Sequence, residues 1–371
     1  GVRMFNFREE LKRYDYSFFG ICSAIFIIGI LNLYSATHAQ GIGAEEGLYK
    51  TQIVWFFLSW MIGIAVSFIQ PKNFYRLAYP SYLISVILLV MVLVVGHSAL
   101  GGQRWIGFGP LKFQPSEITK IAMVLVLSRW YSKAAPEQEI GFRELIIPFI
   151  ITIIPAMMII IQPDLGTGML VMLIFFIITF YRKLKWKTIM IMAIIAMISS
   201  TVVYNFGLRE YQKKRITTFL DPEYDAKGSG YNAIQSKIAI GSGQFFGKGF
   251  RRSSQGALNY LPENHTDFIF AIFNEEHGFV GSVFLIALYI ALFYRLLWLA
   301  SNVNKIFDSV VVVGILAVFF CHTMINMSMV SGLMPIVGVP LPLMSYGGSN
   351  LLTFGICCGI VTSISNARNL F

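Results

Sequence analysis

Charge is scarce in this sequence: Asp, Glu, Lys and Arg make up 13% of its 371 residues, about half the share of a typical soluble domain. That scarcity excludes an ordinary water-soluble fold. Cysteine is scarce too. Cys22, Cys321, Cys357 and Cys358 all fall in apolar runs, with no Cys-x-x-Cys and no histidine at ligand spacing, so neither a disulfide framework nor a zinc site is expected. No internal period or low-complexity tract stands out, which argues against a repeat architecture. A nucleotide-binding P-loop is absent as well, because Gly247-Lys248 has Ser242 where that motif needs glycine and Gly249 where it needs Ser or Thr.

Apolar surface is what the chain has in excess: 56% of its residues are hydrophobic and the mean hydropathy is +0.66. Crossing a bilayer takes about 17 to 25 apolar residues. Ten segments qualify, at 16–36, 52–69, 77–95, 116–132, 145–161, 166–181, 187–206, 278–299, 307–329 and 350–366. The expected fold is an all-α membrane protein, a polytopic bundle of about ten transmembrane helices forming a single domain over 16–371 behind a cytoplasmic tail, 1–15. The first span follows Arg3, Arg8, Lys12 and Arg13 with no small-residue cleavage site after it, so it reads as an uncleaved span. Ten spans put both termini on one side, and basic residues select the cytoplasm. Sixteen of the 29 Lys and Arg flank inner span ends, whereas the short outer loops hold only Lys50, Arg104 and Lys112. Nine more lie in an extracytoplasmic loop, 207–266, long enough to escape the bias. The net charge of +10 therefore reads as orientation plus a basic outer surface, and not as nucleic-acid binding. A second outer segment, 332–349, has no charge, three prolines and four glycines. It is expected to be re-entrant, because irregular backbone at membrane depth survives only when buried in protein or lining a water-filled cavity.

Charged side chains within or at the rims of spans are costly in lipid and mark function by default. Glu117 and Lys120 are three apart on one helical face, either neutralising each other or serving a site. Asp164, in Gln162-Pro-Asp-Leu-Gly-Thr167, suits an N-cap, a site acid, or both. Glu275 and Glu276, in Asn274-Glu-Glu-His-Gly278, either interrupt an outer half-helix or lie on a solvated face. Asp267 follows Glu263 and His265 at the end of the basic loop. It reads as an N-cap to a helix beginning at Phe268, or as a base able to remove a proton from a hydroxyl. In the loop, glycine-rich backbone with Lys237, Lys248, Arg251 and Arg252 suits a pyrophosphate or simply a solvated basic surface. Arg104 and Lys112 are weaker cations of the same kind.

Several ordered blocks carry a resemblance: Gly101-Gly-Gln-Arg-Trp105, Phe113-Gln-Pro-Ser-Glu-Ile-Thr-Lys120, Gln162-Pro-Asp-Leu-Gly-Thr167, Ile234-Gln-Ser-Lys-Ile-Ala-Ile-Gly-Ser-Gly243, Leu261-Pro-Glu-Asn-His-Thr-Asp267-Phe-Ile-Phe270 and Gly338-Val-Pro-Leu-Pro-Leu-Met-Ser345-Tyr-Gly-Gly-Ser349. Together they span almost the whole chain and resemble the SEDS family (shape, elongation, division and sporulation), its RodA branch more than FtsW. Minor departures are Ser253-Ser-Gln-Gly and Phe273-Asn-Glu-Glu-His. The resemblance implies a peptidoglycan glycosyltransferase of the cytoplasmic membrane that polymerises lipid II at the outer face during elongation and shape maintenance. It also implies a class B penicillin-binding protein and the elongation machinery as partners, with membrane lipids around the bundle and no nucleic acid. The family's essential acid matches Asp267; supporting positions match Glu117, Lys120 and Asp164, with Arg104, Lys237, Lys248, His265 and Ser345 as further substrate-binding or supporting candidates. A divalent cation, Mg2+ or Mn2+, or else Lys and Arg, would stabilise the leaving diphosphate. The competing readings are a lipid II flippase or transporter, an FtsW-type division or sporulation polymerase, and a noncatalytic scaffold.

Overall fold

A computed structural model describes residues 14–38, 47–95, 97–99, 102–108, 111–225, 228–254 and 265–368. Each of the ten expected spans has its helix: α1 (Tyr16–His38), α2 (Leu48–Ser67), α3 (Pro71–Val95), α4 (Pro115–Tyr131), α5 (Phe142–Ile161), α6 (Leu165–Tyr181), α7 (Trp186–Val202), α10 (Ile269–Ser301), α11 (Ile306–Val330) and α12 (Gly348–Arg368). Seven of these are long and apolar enough to cross a membrane, while α6 and α7 are shorter apolar helices. The chain is a multi-pass membrane protein. Two departures concern the connections. The expected outer loop carries two helices, α8 (Glu210–Leu220) and α9 (Ser229–Ser242), and a small antiparallel sheet stands between α3 and α4, with β1 (His97–Ala99), β2 (Gly102–Phe108) and β3 (Leu111–Phe113).

Prolines inside spans remain tolerable because neighbours satisfy the carbonyls they release. Pro155 of α5 leaves the Ile151 carbonyl without an amide partner, and Tyr82 Oη of α3 donates to it at 2.9 Å. Pro80 of α3 does the same to Arg76, whose carbonyl accepts from Arg129 Nη1 at 3.3 Å. The Arg129 guanidinium also lies over the rings of Tyr75 and Tyr79.

Burial divides the helices into a core and a lipid-facing shell. Helix α11 is 83% buried over its most apolar window, against 22% for α2 and α3. Helix α4 is buried along nearly its whole length and packs on α11. Small residues bring α2 and α12 together: a Cβ added at Gly63 would lie 2.7 Å from the Gly355 carbonyl oxygen, close packing that substitutes for a hydrophobic force in lipid. At the far end of α10 from Asp267, Arg295 pairs with buried Asp15 at 2.7 Å, and Arg295 and Arg368 both lie over Trp298. The beginning of α1 and the end of α12 therefore meet at one end of the bundle.

Candidate functional site

Two irregular stretches of backbone sit inside this helical bundle, and each gathers acids. The first is a break in α10 at Gly278, whose φ of 64° and ψ of −159° suit only glycine. Residues 244–249 splint it. The amides of Lys248 and Gly249 donate to the carbonyls of Glu275 and Glu276 at 2.9 Å each, and the amides of Phe279 and Val280 donate to Gln244 and Phe245. Both acids are buried, which overturns the solvated-face reading and leaves the half-helix interruption. Lys248 Nζ lies 2.6 Å from Glu275 Oε1, and Ser253 and Ser254 donate to the same carboxylate. Ser35 of α1 donates to Glu276. The loop's glycines thus serve close backbone packing, with Lys248 as counterion to Glu275.

The second stretch is Ser331–Gly347, irregular throughout and buried from Val339 to Ser345 apart from half-buried Pro340. It matches the uncharged segment expected to be re-entrant. Side chains of α2, α10 and α11, with the segment's own Ser345, satisfy its main chain, as burial requires. Asn326 Nδ2 of α11 donates to the Val339 carbonyl at 2.8 Å and to that of Asp267 at 2.9 Å. Tyr289 of α10 donates to Pro342, and Gln52 of α2 clasps the Ser345 carbonyl and the Gly347 amide. Ser345 Oγ accepts from the Leu341 amide and donates to the Thr266 carbonyl at 2.7 Å. The Tyr346 amide donates to the His265 carbonyl, and the two rings meet edge to face.

This strapping places Asp267. Helix α10 begins at Ile269 with Phe268 as N-cap and no side-chain cap, so Asp267 is not the cap residue. Its carboxylate rests instead against Gly338: a Cβ added there would lie 3.3 Å from Asp267 Oδ2. Gly338 has φ of 73° and is exposed, so the carboxylate stands where the buried segment meets open space. Close by, α6 begins against Val337 and Val339 through Gly166. Asp164 caps that helix, accepting from the Thr167 amide at 3.2 Å and the Thr167 hydroxyl at 3.0 Å, and it accepts from Gln114 Nε2 at 3.1 Å. Asp164 thus caps α6 where that helix begins against the segment carrying Gly338. Glu117 and Lys120 form a buried pair, with Nζ 2.9 Å from both carboxylate oxygens, and Lys120 Nζ also lies 2.8 Å from His322 Nε2.

Not every expected residue joins this cluster. Lys237 lies across Gly332, at the entry to the irregular segment, in a cleft with Arg215, Thr218 and Ile336. Arg104 falls on β2 and Lys112 on β3; their side chains, and Glu263 altogether, lie outside the described residues. Three contributors escape a reading of the sequence: Gln52, His322 and Asn326. The last two stand four apart on one face of α11, but Asp308, Ser309, Thr323 and Ser328 also interrupt its apolar sequence, so the signal is faint. Among the described residues no group of three or more His, Cys, Asp or Glu gathers as a metal cluster.

Comparisons with known proteins agree with this architecture. Residues 15–370 match the family model of FtsW, RodA and SpoVE, described as cell cycle protein. The chain is 38% identical over 350 residues to the peptidoglycan glycosyltransferase MrdB of Escherichia coli (strain K12), covering 94% of this chain and 93% of that one. It is similar to a chain of a solved peptidoglycan synthase complex that coordinates polymerization and crosslinking, with a TM-score of 0.80, 31% identity and coverage of 96% and 98%. It is also similar to the crystal structure of the rod shape determining protein RodA of Thermus thermophilus, with a TM-score of 0.70, 27% identity and coverage of 96% and 97%.

Proposed function

The chain belongs to the FtsW, RodA and SpoVE family, and from that premise we propose that it is a peptidoglycan glycosyltransferase that polymerises lipid II during elongation and shape maintenance. The observation that carries the site assignment is the placement of Asp267 against exposed Gly338, at the mouth of the irregular segment and beside the start of α6. Asp267 is the general base. It takes the proton from the acceptor sugar's 4-hydroxyl as that oxygen attacks the donor's anomeric carbon. The bond from that carbon to the diphosphate breaks with inversion, and undecaprenyl diphosphate leaves. Lys237 and Arg215, in the cleft along Gly332 and Ile336, are the cations placed to meet a diphosphate bound along the same segment. Asp267 is also the residue suited to hold a divalent ion, whose other ligands would be substrate oxygens and water; such an ion would supply charge for the departing diphosphate.

The sixteen basic residues at inner span ends support cytoplasmic termini and a site on the outer face. The meeting of the beginning of α1 and the end of α12 around Trp298 is in keeping with that orientation. A class B penicillin-binding protein is the partner this reading calls for, since the similar complex couples polymerization to crosslinking. The test is glycan polymerisation by purified protein from lipid II in detergent, comparing wild type with Asp267→Ala. Wild type is expected to make polymer and the folded variant none. Full activity in Asp267→Ala would sink the base assignment, and lipid translocation without polymer would favour a flippase.

A further inference from the structure

Beyond the base itself, the string Glu117–Lys120–His322 ends on the backbone that Asp267 leans on. His322 Nδ1 lies 3.0 Å from the Pro340 carbonyl oxygen, and His322 Nε2 lies 2.8 Å from Lys120 Nζ. His322 is 1% exposed and Lys120 fully buried. A carbonyl only accepts, so Nδ1 must carry the hydrogen in this bond. Nε2 then accepts from the Lys120 ammonium, which also donates to Glu117. The two bonds beyond Lys120 therefore run one way, from the ammonium through the imidazole to Pro340, while the ammonium also donates back to Glu117. Four residues further along α11, Asn326 holds the Val339 carbonyl. Two successive carbonyls are thus pinned by one helix face, immediately after Gly338, whose left-handed turn carries the Asp267 contact.

We propose that His322 is a positioning residue for Asp267: its Nδ1 hydrogen on the Pro340 carbonyl fixes the Gly338 turn, and the Lys120 ammonium, held by Glu117, selects through Nε2 the tautomer that carries this hydrogen. This rests on the reading of Asp267 as the base. It gives the charge pair a use: an intramembrane pair that only neutralised itself would have no need of a histidine bridging it to an irregular segment.

Two substitutions separate the two ends of the imidazole. In His322→Gln the amide reaches the Nε2 position, keeping an acceptor for Lys120 while losing the bond to Pro340. In His322→Asn the amide occupies the Nδ1 position, keeping the donor to Pro340 while Lys120 remains paired with Glu117. Loss of alignment at a reacting group costs on the order of 10- to 100-fold in rate. His322→Gln should lower kcat by that factor with KM little changed, and His322→Asn should stay within about threefold of wild type. Equal kcat in the two folded variants, whether high or low, overturns the proposal. A second reading needs no variant: nitrogen NMR of histidine-labelled wild type should find His322 protonated at Nδ1 alone, and a hydrogen at Nε2 would break the string. If Asp267→Ala polymerises at the wild-type rate, the polymerase site fails independently of His322. The tautomer then still decides the string.

Discussion

The two irregular stretches of this bundle make an instructive pair. Both have a left-handed glycine, Gly278 in one and Gly338 in the other, and both keep acids at hand. They differ in how those acids are answered. At the α10 break, Glu275 has Lys248, Ser253 and Ser254, Glu276 has Ser35, and residues 244–249 occupy the freed backbone groups. That arrangement is closed, and its acids hold a helix interruption together. At Ser331–Gly347 the backbone is just as well satisfied, but by side chains from α2, α10 and α11, and the acid beside it lies against an exposed glycine. A rigid, satisfied support with a carboxylate at its open edge is what a catalytic base needs. On the proposed reading, acids in the same membrane protein take opposite roles according to what surrounds them.

The comparison can be broken or sharpened by substitution. The largest effect is expected at the closed break. Lys248→Met leaves buried Glu275 without its cation, which costs about 3–5 kcal/mol, read as a lower melting temperature in detergent, while activity per folded molecule holds. A smaller effect is expected at the open segment, where Gly338→Ala forces alanine into the left-handed region at about 1–2 kcal/mol and pushes a methyl toward Asp267 Oδ2. Its signature is a larger loss of kcat than so modest a melting shift would explain. The smallest is Asp164→Ala, which removes the α6 cap for about 1 kcal/mol and should lower activity as well through the lost Gln114 contact.

Much of the fold was legible because spans announce themselves: every expected segment has its helix, from α1 to α12. A helix starting at Phe268 and an interruption at Asn274–Gly278 were both within reach of the sequence, but the splint of residues 244–249 that joins the two halves into α10 was not. Helices α8 and α9 were hidden by a glycine- and lysine-rich composition whose stability comes from packing, as Ser236 shows by donating to the Val330 carbonyl. Asp267, Asp164, Glu117 and Lys120 were visible as charges in apolar surroundings. His322 and Asn326 were not, because their partners are carbonyls at Pro340, Val339 and Asp267 and, for His322, a lysine 202 residues away, and no local pattern of side chains records either. The pairing of Lys248 was equally hidden, because its partner Glu275 stands 27 residues away in sequence, within a helix.

The most direct test of the central contrast measures two variants side by side for lipid II polymerisation per folded molecule and for melting temperature. Removing a general base typically costs about 10²- to 10⁴-fold in rate. Asp267→Asn should show a loss of that order with an unchanged melting temperature, whereas Glu275→Gln should melt earlier and polymerise normally when folded. The reverse pattern, an active Asp267→Asn beside a stable but inactive Glu275→Gln, would contradict the account.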